Sequence, residues 1–301
     1  MFDWDDMRVF LALARERKLA PAARLLGIDP TTLGRRVGRL EQALGTLLFE
    51  PGAGERVLTA KGNELLVHAE RLESAALAAQ EASGGAQGLV GQVRLSVSEG
   101  FGTWVLAPGL ARFNQQHPGV RLDLVSASGF LNPSKREADM ALMLARPQKG
   151  RLSVQRLGDY DLHLYAGPGY LGRCADLTSP ADLPGHTLVG YVPDFLFSPE
   201  LDYLGEVHAG LEANLRATSI NMQYRMILDG AGIGVLPDFI GRTDPRLTPL
   251  LTGRVRITRS FWLVVHEDLR HLPRIEAVAR WLQESALTLK SPALRIVEPA
   301  S

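Results

Sequence analysis

The sequence predicts an α/β chain in two parts: a small all-helical amino-terminal region, then a larger region in which strands and helices alternate. Three observations carry this. The 301 residues exceed one small core and suit one small domain beside a large one. Up to residue 62, apolar residues recur at helical spacing between tightly capped turns. From Gly91 onward, period-two apolar runs are separated by helical stretches, the rhythm of a mostly parallel sheet with helices on both faces.

In the first region, Asp5 or Asp6 is expected to cap a helix whose positions Met7, Phe10, Leu11 and Ala14 share one face. Pro21 falls in the first turn of a second helix, residues 22–26, which Gly27 ends. Asp29 reads as the N-cap and Pro30 as the first residue of a third helix, which buries Leu33, Val37 and Leu40 and stops at Gly45. A long helix follows over about 62–82. Its Leu65, Ala69, Leu72, Ala76 and Ala79 are spaced by four and three, a heptad seam. Ser83-Gly84-Gly85 reads as a flexible break.

In the second region, strands are expected at 93–97, 120–124, 140–144, 187–192, 211–217 and 261–266, with helices at 104–116, before Gly230, and at 271–285. The tail after Lys290 reads as loose. Such a chain holds two subdomains, the first at about 91–162 and 267–290 and the second at about 163–266, with a cleft between them. Gly230-Ala231-Gly232-Ile233-Gly234 has the look of a dinucleotide fingerprint but lacks a strand before it and a helix after it. A helix C-cap followed by a strand fits better.

Lys plus Arg and Asp plus Glu each count 33, so any affinity for nucleic acid must come from a local cluster and not from a global field. The single cysteine, Cys174, forms no internal disulfide and no zinc cluster, which fits a reducing compartment. The acidic start (Asp3, Asp5, Asp6) is unlike a secretory leader, and no run approaches the ~20 apolar residues of a membrane span. A cytoplasmic protein without a membrane partner is expected. The seven histidines show no metal spacing, and there is no G-x-S-x-G elbow. No cofactor, metal or catalytic set is expected, and no enzyme.

The local basic cluster exists. Between Arg15 and Arg39 stand seven basic residues against two acidic ones. With Leu33, Val37 and Leu40 turned inward, Thr31, Thr32, Gly34, Arg35 and Arg36 lie on the outer side of the third helix or its edge, and Pro30 and Arg39 join them as candidate DNA contacts. Short hydroxyls and a glycine near the helix start allow close approach to base edges, and arginines beside them pair with phosphate or guanine. A helix laid this way in the major groove is helix-turn-helix docking. The bland alternative, a solvated basic face, is weakened by the tandem of short helix, tight turn and capped basic helix.

Met7-Arg8-Val9-Phe10, Ala22-Ala23-Arg24-Leu25-Leu26, Arg39-Leu40-Glu41, Leu44-Gly45, Leu48-Phe49, Leu58-Thr59 and Lys61-Gly62 fall in the order and spacing of the LysR-type transcriptional regulators, which the chain therefore resembles. The resemblance implies a winged helix-turn-helix (1–62), a dimerising linker helix and hinge (63–90), and an effector-binding domain of periplasmic-binding-protein type (91–301). It further implies promoter DNA and a small-molecule effector as partners, with a homodimer through the linker helix and commonly a homotetramer. Two departures stand out. Where many members carry Ser-Gln-Pro-Ala-Val-Ser, this chain has Asp29-Pro30-Thr31-Thr32-Leu33-Gly34. The wing reads Glu50-Pro51-Gly52-Ala53-Gly54-Glu55, which leaves Arg56 as its nearest cation.

Ligands in open α/β sheets sit beyond the carboxyl ends of strands, where helix amino termini offer free N–H groups. Ser98, Glu99 and Thr103 follow the first expected strand, Ser126 and Ser128 the second, and Thr218 and Ser219 a later one. The resemblance places the effector near these same loops. The competing role for the hydroxyls is turn and helix capping. Glu99 repels a carboxylate, so either it points away or the effector is neutral or cationic. Two other readings remain: a ligand-independent DNA-binding protein, or a solute-binding or enzymatic α/β protein with accessory helices.

Overall fold

The computed structural model describes residues 3–52, 54–83, 89–126, 131–135 and 137–290. The chain divides into two units, Met1–Gln87 and Gly88–Ser301.

In the first unit, α1 (Trp4–Glu16), α2 (Leu19–Leu26) and α3 (Pro30–Leu44) pack around Phe10, Leu13, Leu33 and Leu40. The cap of α1 is Asp3, whose Oδ1 accepts from Asp5 N at 3.0 Å. Asp5 and Asp6 lie in the first turn instead of capping, because Asp6 turns inward toward α3. Helix α2 begins two or three residues earlier than Pro21 implied and ends at Gly27 with φ +66°. Asp29 Oδ1 accepts from Thr31 N at 2.7 Å, which fixes the start of α3; Gly45, at φ +68°, ends it.

Glu41 Oε1 then accepts from Leu48 N at 2.8 Å and fixes the turn into the wing. The wing is minimal: Phe49 and Leu58 form a single antiparallel bridge, and Glu50 N donates to Val57 O at 2.7 Å. Its tip residue Ala53 lies outside the described residues. Thr59 Oγ1 accepts from Gly62 N at 2.9 Å and starts α4 (Ala60–Ser83). Of the expected seam, Ala69 is buried in the head's own core and Leu65 packs against it, while Leu72, Ala76 and Ala79 are exposed. The expected break at Gly84-Gly85 and the tail after Lys290 lie outside the described residues.

The second unit holds one mixed sheet bent through two lobes. Strands β1 (Val90–Ser96), β2 (Gly119–Val125) and β3 (Met140–Met143) run parallel in the first lobe. After β1 the chain forms a short α5 (Glu99–Phe101), continues through a π turn (Gly102–Leu106) and a 3-10 turn (Ala107–Gly109), and enters α6 (Leu110–Gln116). The regular helix expected over 104–116 is interrupted there. Pro108, which has no N–H to donate, sits in the irregular stretch.

Strand β4 (Leu152–Ala166) crosses to the second lobe, followed by α7 (Pro168–Leu171), β5 (Leu188–Gly190), α8 (Leu204–Val207), β6 (Leu215–Arg216) and α9 (Ile220–Leu228). Next come β7 (Ile233–Pro237), α10 (Asp238–Gly241) and β8 (Thr248–Leu250). Strand β9 (Ile257–His266) crosses back, and α11 (Pro273–Ala286) packs Trp281 at a tilt against Phe113, with ring centroids 4.8 Å apart. The order is β2-β1-β3-β9-β4-β7-β5-β6, with β8 on β4.

Three expectations change. The sheet is not mostly parallel: β4 and β9 pair antiparallel along most of their lengths, because one carries the chain out and the other brings it back. Residues 262–265 pair with β3 of the first lobe, so the return crossing falls within β9 and not after His266. The strand expected at 211–217 shortens to two residues, since Asn214 Oδ1 takes the N–H of Leu188 at 2.7 Å and replaces a ladder bond. The glycine run behaves as expected. Gly230 (φ +80°) follows α9, and β7 begins at Ile233.

Candidate nucleic-acid interface and ligand cleft

On α3, Pro30, Thr31 and Arg35 are exposed, while Thr32 and Gly34 are half-buried at the edge. A Cβ at Gly34 would meet nothing within 4 Å, so the glycine leaves open space on this face. Asp29, held below the ordinary carboxylate value by the N–H of Thr31, supplies the rigid start that presents the two threonines.

The arginines on this helix have different surroundings. Arg39 binds Asp6 through two nitrogens and Asp3 at 3.0 Å. Arg36 pairs with Asp5, and its Nε stands 3.9 Å from Asp6. Helix α1 thus presents three carboxylates to the inner edge of α3, and the arginine pair clamps the two helices together. Other cations of the basic segment are also engaged: Arg15 forks onto Glu73 of α4 at 2.6 and 3.0 Å, and Lys18 meets Glu55 at 3.4 Å. Arg35 forms no ion pair among the described residues. Arg56 is half-buried, with its backbone N–H given to Arg17 O at 2.7 Å. On α3 the expected residues outside this clamp are Pro30, Thr31, Thr32, Gly34 and Arg35, with Arg56 on the wing.

The second unit contains a cleft of about 230 Å³ between its lobes. Ser98, Glu99, Ser126, Thr218 and Ser219, all expected from sequence, line it together. Thr103 does not. It lies outside on the exposed side of the π turn, where its Oγ1 accepts from Asn221 Nδ2 at 3.1 Å. Ser128 lies outside the described residues.

The sequence reading missed the aromatic walls. Phe101, Tyr160 and Phe261 line the first-lobe side and the crossing, and Tyr191, Phe195, Phe197, Tyr203 and Phe239 the second-lobe side. The rings pack tightly: Phe101 meets Phe261 edge-on at 4.6 Å, and Tyr160 stacks on Phe261 at 4.5 Å. Burial raises the phenols of Tyr160, Tyr191 and Tyr203, so all three stay protonated at neutral pH. A signal was present in the four aromatic residues between positions 191 and 203.

Comparison with known proteins matches both units to one family. A model described as the bacterial regulatory helix-turn-helix protein, lysR family, matches residues 4–63. A model of the LysR substrate binding domain matches residues 86–287. The transcriptional regulator CrgA of Neisseria meningitidis serogroup B is 30% identical over 272 residues, covering 88% of this chain and 90% of that protein. The Mau operon transcriptional activator of Paracoccus denitrificans is 28% identical over 279 residues, covering 93% and 95%. The solved structure of CrgA from Neisseria meningitidis superposes with a TM-score of 0.60 at 25% identity, covering 95% of this chain and 99% of that one. A full-length OxyR variant from Pseudomonas aeruginosa, at 18% identity, shares the fold with a TM-score of 0.69, covering 95% and 98%.

Proposed function

This chain belongs to the LysR family of bacterial transcriptional regulators, and on that premise we propose how its own residues divide the work. Residues 1–62 form the DNA-binding head, 63–90 the dimerising helix and hinge, and 91–301 the effector domain. In the major groove, Thr31, Thr32 and Gly34 approach base edges while Arg35 takes a phosphate or a guanine. Arg56 reaches the minor groove beside it. Arg36 and Arg39 hold α3 at its angle to α1 and act on DNA through that placement. The observation that carries this reading is the contrast on one helix between Arg35, without an ion pair among the described residues, and Arg36 and Arg39, committed to carboxylates.

The exposed Leu72, Ala76 and Ala79 of α4 supply the dimer seam, and two dimers make a tetramer that spans two operator half-sites in the cytoplasm. The protein acts by binding and not by catalysis. An effector seated between the lobes favours one cleft geometry over another and so shifts the spacing of paired heads. Genome-wide mapping of bound DNA tests the reading: discrete promoter peaks support it, and uniform coverage refutes it.

A further inference from the structure

The cleft's own charge constrains what it admits, and Glu99 is the key. The residue follows β1 in the first lobe, yet its carboxylate is held by the start of α9 in the second. Oε1 accepts from Ser219 Oγ at 2.8 Å and Asn221 Nδ2 at 3.1 Å, and Oε2 accepts from Ile220 N at 3.1 Å. Asn221 is braced in turn, since its Oδ1 accepts from Trp104 Nε1 at 2.7 Å and Trp104 packs edge-on against Tyr224 at 4.9 Å. The N–H groups at a helix start are where an anion would be received. Here the protein's own carboxylate has taken the first of them, that of Ile220, and Ser219 Oγ has taken that of Met222.

Glu99 is the one charged residue among those lining the cleft, and no lysine, arginine or histidine joins it there among the described residues. A ligand carboxylate entering this space would lose its water, meet a like charge and find no cation among the described lining residues. Besides the hydroxyls of Ser98, Ser126, Thr218 and Ser219, ring faces and protonated phenols make up much of the lining. At its mouth Phe195 is 64% exposed, apolar surface that a flat ligand would cover.

We propose that the cleft takes a small aromatic ligand without an acidic group, uncharged or bearing an amine, and that Glu99 sets this preference. The proposal rests on the cleft being the effector site. The test compares benzyl alcohol, benzylamine and benzoate with the full-length chain by ligand-observed saturation-transfer NMR and calorimetry. Benzyl alcohol and benzylamine are expected to bind, with benzoate at least tenfold weaker. Glu99→Gln, which removes the charge at nearly constant size and gives up one of the two acceptor oxygens, should narrow that gap at least fivefold. Ser126→Trp, which fills the cleft, should abolish binding of all three. Benzoate binding as tightly as the others, and lost in Ser126→Trp, overturns the ligand class while the cleft keeps its role. Binding that survives Ser126→Trp removes the cleft itself. Failure of all three probes to bind the wild-type chain overturns the proposal.

Discussion

Arg39 on α3 grips Asp6 on α1 in a two-point fork, Nε to Oδ2 at 2.6 Å and Nη2 to Oδ1 at 2.5 Å. The Asp6 side chain is only 1% exposed. A carboxylate so buried is tolerable only while paired. Arg39→Ala should therefore lower the melting temperature of the head by at least about 5 °C. Adding Asp6→Asn should recover part of that loss, because the stranded charge is gone. Calorimetry on the two variants checks it, and an unchanged melting temperature for Arg39→Ala contradicts the clamp.

Arg36 works on the neighbouring carboxylate. Its hydrogen bond to Asp5 holds that carboxyl below its ordinary value of 3.8. A depressed folded-state value means the stabilisation is complete at neutral pH and is lost as pH falls through the folded value. The predicted window lies below pH 3.8. Asp5→Asn should remove this part of the acid destabilisation while changing the neutral-pH midpoint little, as expected of a half-exposed pair. Urea midpoints at pH 7 and at acid pH decide it.

Gly62 marks where α4 leaves the wing. A Cβ there would stand 2.1 Å from Leu48 O, a backbone atom that cannot swing aside. Gly62→Ala should destabilise the head by about 1–3 kcal/mol, the usual cost of overpacking. Denaturant titration measures it, and a neutral result would mean α4 starts elsewhere.

The exposed part of the α4 seam predicts an effect on association. Leu72 is 37% exposed, and a charge at the centre of a heptad seam disrupts pairing. Leu72→Glu should shift the protein toward monomer in sedimentation velocity without changing the fold of either unit. A variant that sediments as the wild type places the seam elsewhere.

The legible part of this chain was its punctuation. Asp29, Pro30, Gly27, Gly45 and Gly230 each mark an element end through backbone chemistry that operates within a few residues. The hydroxyls that line the cleft were legible for a similar reason: they sit directly after strands. What sequence spacing did not reveal was partnership across helices. Periodicity told which side of α3 faces inward, but not that Asp3, Asp5 and Asp6 would meet Arg36 and Arg39, more than thirty residues away. Counting charge within residues 15–39 therefore overstated the free cations. Strand direction was equally silent, since an apolar alternation reads the same in parallel and antiparallel pairs, and the β4–β9 crossing emerges only in three dimensions. The aromatic walls of the cleft are contributed from several elements of both lobes, beyond the reach of local pattern.

If α3 reads DNA through Thr31, Thr32 and Arg35, as proposed, a salt series on Arg35→Ala will show it. Fluorescence anisotropy would follow wild type and variant on an operator fragment and a scrambled duplex between low and moderate salt. Wild type is expected to bind the operator more tightly than the scrambled duplex, and Arg35→Ala on an intact fold to form a weaker complex. Its log affinity against log salt flattens by about one unit if Arg35 touches phosphate. If it touches guanine, discrimination between the fragments falls by about 1–3 kcal/mol. Equal wild-type affinity for both duplexes, or a variant that matches wild type in slope and discrimination, would contradict it.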